Sequence, residues 1–148
     1  MEKGILTGSP VVDVIVELFD GKEHPVDSKD IAFQIAGEQA FKEIAAKCKP
    51  VILEPIVDME ITFPMEYAGA VNSDVSTRRG RPTGMEQLGN LQVLKAQVPL
   101  AEVMDYGSTL KALTQGAGDF SMQLSHYDPL PGNLVAGVVA KMKVAAEA

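Results

Sequence analysis

The side chains able to do acid–base or nucleophilic work are few and widely spaced in this chain: two histidines, His24 and His126, and one cysteine, Cys48. Ser125, His126 and Asp128 are the residue types of a hydrolase triad, but neighbours in a strand point to opposite faces, which argues against their convergence. Cys48 lies on the apolar stripe of an expected helix with no histidine in local reach, and reads as a small core residue. Gly116-Ala117-Gly118 falls between an expected helix and an expected strand. A phosphate-binding turn runs in the opposite order, strand to helix, so these glycines read as a connection. The sequence has no G-x-x-x-x-G-K-S/T run to cradle a nucleoside triphosphate, and its acidic residues show no ordered metal-ligand spacing. No catalytic, cofactor-binding or metal-binding residue is therefore assigned. His24, in the loop Lys22-Glu23-His24-Pro25-Val26-Asp27, is a different case, because nothing about packing demands an imidazole there. A loop histidine of this kind is either solvated or a contact residue.

The elements that must carry these residues can be read from periodicity. Val12, Val14, Val16 and Leu18 alternate with Asp13, Ile15 and Glu17, which predicts a half-buried strand over 11–19 ending at the turn Asp20-Gly21. Asp27 or Ser28 can cap the helix that follows, whose stripe is Phe33, Ala36, Gly37, Ala40, Phe41, Ile44 and Cys48. Lys49-Pro50 stops it, and Pro55 keeps the chain extended, so a domain boundary is expected near residue 50. Next, Val57, Met59, Ile61 and Phe63 alternate with Asp58, Glu60 and Thr62, and a helix is expected from Pro64 to Arg79, closed by Gly80. The runs 81–88 and 91–98, joined at Gly89-Asn90, predict an antiparallel hairpin. Pro99 opens a second helical stretch, bent or broken near Gly107, and 120–127 supplies a last strand. The order βαββαβ makes this an α+β, ferredoxin-like domain. After Pro129 and Pro131, Leu134, Val135, Val138, Val139 and Met142 mark an amphipathic terminal helix. The expected division is 1–49, 50–131 and 132–148.

Composition narrows the function classes. With 148 residues, 46% of them hydrophobic and 22% charged, the chain can bury one ordinary core or two small ones. One cysteine makes no internal disulfide, and no signal peptide or membrane span is visible, so a reducing, cytoplasmic setting is expected. A net charge of −7 opposes indiscriminate phosphate binding, so any RNA contact must be local.

Gly8-Ser9-Pro10-Val11-Val12-Asp13-Val14, Asp20-Gly21 with His24, Val26-Asp27-Ser28 and Ala32-Phe33 closely resemble the latter half of domain IV of elongation factor G. Leu53-Glu54-Pro55-Ile56, Arg78-Arg79-Gly80, Gly84-Met85-Glu86, Val98-Pro99-Leu100-Ala101-Glu102, Tyr106, Thr114-Gln115-Gly116 and His126-Tyr127 similarly resemble that factor's domain V. The resemblance implies part of a unit like the second domain of ribosomal protein S5 at the start, a complete domain V, and a closing helix folding back on the first part. It also implies a ribosome-binding role in GTP-dependent translocation of tRNA and mRNA, with GTP and magnesium used by the intact factor and the GTPase domain outside this chain. The loop bearing His24 would approach rRNA at the decoding site. Arg78, Arg79 and Arg81 would be phosphate contacts near the sarcin–ricin region, although two arginines in a helix's last turn also complement its dipole. The GTPase-bearing part of the factor is a further expected partner; membrane and DNA are not.

Departures count too. Leu88 and Ala117 stand where the family commonly carries basic residues, which removes two charges from a surface expected to approach RNA. The earlier strands of domain IV are missing, so the strand over 11–19 would lack partners and the first domain is expected to be loose or to self-associate. Two other classes remain open: a protein-interaction module that binds an intact elongation factor or its antagonist, and a small-molecule sensor or enzyme on the ferredoxin-like fold, the latter disfavoured by the lack of a convergent polar cluster.

Overall fold

The computed structural model describes residues 4–24 and 29–147, with the side chains of 143–147 left aside. The chain divides into two compact units, Leu53–Pro129 and the remainder on either side of it.

The Leu53–Pro129 unit is built on a four-stranded antiparallel sheet in the order β2-β3-β1-β4, where β1 is Leu53–Pro64, β2 Arg81–Leu88, β3 Leu91–Pro99 and β4 Asp119–Pro129. Two helices, α2 (Ala68–Thr77) and α3 (Tyr106–Leu113), connect the strands and complete the ferredoxin-like βαββαβ order. The alternation in β1 is realised as expected: Val57, Met59, Ile61 and Phe63 are buried, and across the ladder they meet Val98, Ala96, Leu94 and Gln92. Val71 and Val75 of α2, with Tyr106 and Leu110 of α3 and Val103 ahead of it, close this face into a single core. The opposite face carries Asp58, Glu60, Lys95 and Gln97, as antiparallel sheets with one solvated side do. Gly89 has φ +62° at the hairpin turn, and the adjoining Asn90 carbonyl accepts the Met65 N–H.

Two boundaries differ from expectation. The stretch expected as a helix from Pro64 begins as a 3-10 turn at Met65–Tyr67, and the one expected from Pro99 begins as a 3-10 turn at Leu100–Glu102. The break expected near Gly107 lies at 103–105, just ahead of that glycine, which sits inside the first turn of α3. In β4 the register shifts opposite Ile56 and Val57, so that Ser125 is an extra, unpaired residue, a β-bulge.

The other unit contains α1 (Asp30–Lys47) and the C-terminal α4 (Gly132–Glu147), and the Leu130 N–H donates to the Ile52 carbonyl at 2.8 Å where its two segments meet. The expected strand over 11–19 is not formed. A strand needs a hydrogen-bonded neighbour, and among the described residues of this unit none pairs with it; Asp13, at φ +57°, also breaks the extended run that the alternation predicts. Ile15, Leu18 and Phe19 are 97%, 90% and 92% exposed. The helical stripe expected to pack is also uncovered: α1 buries no residue, and Cys48, expected in a core, is exposed at its C-cap. Lys29 occupies the N-cap of α1 without a side-chain hydrogen bond; the expected caps Asp27 and Ser28 lie outside the described residues.

Candidate nucleic-acid interface

The corner where α2 turns into β2 carries Arg78, Arg79 and Arg81. Helix α2 ends with Arg78 at its C-cap and Arg79 in the left-handed region at φ +60°. The Gly80 N–H reaches back to the Val75 carbonyl at 2.9 Å and the Arg79 N–H to the Ser76 carbonyl at 3.3 Å, which together make a Schellman cap. The residue adopting the positive angle is thus the arginine, not the glycine. Gly80 is required for a different reason: a Cβ there would lie 2.6 Å from the Val75 carbonyl oxygen and 2.5 Å from its Cγ1.

Both guanidinium groups turn inward. Arg78 donates from Nε to Asp74 Oδ2 at 2.9 Å, from Nη1 to the Glu102 carbonyl, and from Nη2 to Thr109 Oγ1 at 3.0 Å. Its guanidinium carbon lies 5.3 Å from the centre of the Tyr106 ring, a cation–π distance. Arg79 grips Glu54 with both Nη atoms, at 2.7 and 2.9 Å, and donates from Nε to Glu102 Oε1 at 3.1 Å. Glu54 is buried, and its two hydrogen bonds to Arg79 are the main reason the Arg79 guanidinium is held above its already high pKa. The exposed carboxylates are Glu102, 39% accessible, and Asp105, 83% accessible and 3.6 Å from Arg78 Nη1. Two guanidinium groups are therefore surrounded by four carboxylates. Beneath them Tyr106 is buried, its ring edge-on to Phe120, and burial pushes its phenol up to about 12, with the nearby Asp74 charge adding to the effect. Its hydroxyl makes no hydrogen bond.

Arg81 differs from the other two. It opens the edge strand β2, every residue of which is exposed, and it makes no ion pair among the described residues. His24 belongs to the other unit and is exposed; Pro25 to Ser28 of its loop lie outside the described residues.

The Ser125, His126 and Asp128 side chains do converge, contrary to the expectation from strand alternation. His126 Nδ1 is 3.1 Å from Ser125 Oγ and Nε2 is 3.4 Å from Asp128 Oδ2, because the bulge at Ser125 breaks the alternation. The cluster is exposed, and Ser125 also bonds Asp58, whose carboxyl is held low first by Gln97 and then by that serine. The open face of the sheet offers a cleft of about 350 Å³ lined by Asp58, Glu60, Thr83, Lys95 and Gln97 among others, with Lys95 tied to Glu86 at 2.7 Å. No group of three His, Cys, Asp or Glu side chains able to hold a metal ion occurs among the described residues, and none of the described helices is long and apolar enough to cross a membrane.

Against known families, residues 1–49 match the model of elongation factor G domain IV and residues 51–137 match that of the elongation factor G C-terminus. The chain belongs to the elongation factor G family. It is 52% identical over 141 residues to elongation factor G of Aquifex pyrophilus, covering 95% of this chain and 20% of that protein. Among solved structures it is similar to a crystal structure of a Thermus thermophilus protein, at 45% identity and a TM-score of 0.81, over 96% of this chain and 22% of the other. This elongation factor G chain thus spans about a fifth of the length of the relatives it matches. The carboxylates that hold the arginines were not singled out from sequence, yet Glu54 and Glu102 sit inside the motifs Leu53-Glu54-Pro55 and Val98-Pro99-Leu100-Ala101-Glu102 on which the resemblance rests.

Proposed function

We propose that this chain is the ribosome-binding C-terminal region of an elongation factor G, supporting GTP-dependent translocation of tRNA and mRNA in the cytoplasm with the GTPase domain supplied elsewhere. The observation that carries the proposal is the in-register family match across both units. Arg81 is the leading phosphate contact toward the sarcin–ricin region, because it is exposed and makes no ion pair among the described residues. His24 is the corresponding candidate in the unit matching domain IV, as a contact to decoding-site RNA. GTP and magnesium belong to the intact factor, whose GTPase-bearing part is a further partner; neither membrane nor DNA is. Co-sedimentation with vacant ribosomes across a salt series tests the reading. The chain should pellet at low salt, with binding falling linearly on a log–log plot. A chain that stays in the supernatant at low salt refutes it.

One observation favours a second reading. An apolar run with three side chains at least 90% exposed can recruit protein, either a second copy or an intact elongation factor or its antagonist. Light scattering in high salt should then give a mass above the 15.8 kDa of one chain, and Ile15→Asp with Phe19→Asp should restore the monomer. A monomeric wild type removes self-association.

A further inference from the structure

We infer that Glu102, assisted by Asp105, sets the phosphate affinity of the α2–β2 corner by occupying the guanidinium edges that a phosphodiester would take. The inference rests on the ribosome-binding reading and adds to it a residue that tunes the contact.

The geometry separates the four carboxylates into two kinds. Glu54 is buried and meets Arg79 through two parallel hydrogen bonds, and Asp74, only 19% exposed, meets Arg78 one helical turn away at 2.9 Å. These are the partners that balance the charge of each arginine inside the fold, and taking either away leaves a poorly hydrated cation or anion. Glu102 and Asp105 come second to them. Glu102 meets Arg79 at Nε and at an Nη2 that already donates to Glu54, both at 3.1 Å, and Asp105, at 3.6 Å, is beyond hydrogen-bonding distance. Both are in contact with water, so a carboxylate leaving this place regains its hydration. Phosphate oxygens accept from the same planar N–H fork that a carboxylate uses. An RNA phosphate arriving here therefore exchanges with Glu102 and leaves Glu54 in place.

The charge count fixes the direction of the effect. Arg78 and Arg79 contribute two positive charges, whereas Glu54, Asp74, Glu102 and Asp105 contribute four negative ones, so the corner repels an approaching phosphate until an exposed carboxylate withdraws. Arg81, two residues on and without an ion pair among the described residues, supplies the first attraction. Arg79 adds to it only after Glu102 has moved.

The test is ribosome co-sedimentation of the full chain with Glu102→Gln and Asp105→Asn, against Glu43→Gln as a control. Glu43 lies on α1, is exposed, and changes the net charge by the same one unit without touching this corner. Glutamine at 102 retains the backbone carbonyl that accepts from Arg78, so the cap should stand, and a melting curve checks it. Glu102→Gln should bind roughly two- to fivefold more tightly than wild type at fixed salt, the range of an exposed ion pair. Its salt dependence should steepen by up to about one counterion. Asp105→Asn should move the same way by less. Binding by Glu102→Gln no tighter than by Glu43→Gln overturns the inference while leaving ribosome binding intact. If wild type and all variants stay in the supernatant, the ribosome-binding reading fails and this inference fails with it.

Discussion

Replacing Arg79 by alanine should cost this chain about 3 kcal/mol of folding stability, more than any effect expected of a surface arginine. The Arg79–Glu54 contact is bidentate, at 2.7 and 2.9 Å, and Glu54 is buried. Truncation removes the cation and leaves the carboxylate in a poorly hydrated place. Breaking a buried pair in this way costs about 3–5 kcal/mol, and the 29% exposure of the Arg79 side chain argues for the lower end. The positive φ of residue 79 is retained by alanine, so relief of backbone strain does not offset the loss. Glu54→Gln should cost about 1–3 kcal/mol, because the amide oxygen still accepts from one Nη while the amide nitrogen, itself a donor, leaves the other Nη without an acceptor. Urea denaturation followed by far-ultraviolet circular dichroism is the assay, since the chain has no tryptophan for fluorescence. In the double variant the two losses should fall short of their sum by about 1 kcal/mol, the signature of a shared contact. An Arg79→Ala chain within about 0.5 kcal/mol of wild type, a change typical of an ordinary surface site, would show that this pair does not hold the corner.

Gly80→Ala should destabilise by about 2 kcal/mol as an overpacked position, because the new methyl group meets the Val75 carbonyl at 2.6 Å and backbone cannot rotate away; unchanged urea unfolding would contradict the close approach. Tyr106→Phe should be neutral or slightly stabilising at pH 7, since the hydroxyl it removes is buried without a partner. The same variant should flatten the alkaline limb of the stability profile. Wild-type Tyr106 keeps its proton when folded to about pH 12 but loses it near 10 when unfolded, so stability is intact below pH 10 and falls above it, by up to about 3 kcal/mol. A wild type and Tyr106→Phe chain that lose stability in parallel between pH 10 and 12 would refute that assignment. Arg81→Ala should leave urea unfolding unchanged while lowering ribosome binding and reducing its salt slope by about one, and a fall in stability would show that Arg81 has a structural role as well.

The hairpin and the order of the second unit were legible because their signals are local. Gly89-Asn90 states its turn in two residues, and Val57 to Phe63 state their buried face by alternation. What failed depended on residues far along the chain. Alternation over 11–19 encodes two faces but cannot supply a neighbouring strand, and the stripe on α1 likewise encodes a face without a layer to meet it. Gly80 was readable as the end of a helix, but the close approach that requires a glycine there is set by Val98, eighteen residues later, as well as by Val75. The candidate interface was half readable. Three arginines in four positions are obvious, but their captors, Glu54 and Glu102, stand 25 and 23 residues away, and no spacing rule links them. The bulge at Ser125 was invisible for the same reason, since a register shift belongs to the pair of strands and not to either sequence.

The sheet order also governs when this unit can fold. The hairpin of β2 and β3 closes over two residues and can form in microseconds, and β1 can then pair with β3, but the other edge of β1 must wait for β4 from the far end of the unit. Joining Leu53 to Pro129 closes nearly the whole unit as one loop, and the entropic cost of that closure is met before its ladder contributes anything. A nascent chain emerging residue by residue therefore exposes an unpaired edge of β1 throughout the synthesis of α2, the hairpin and α3. Pausing of synthesis anywhere before Asp119 leaves that edge open to intermolecular pairing.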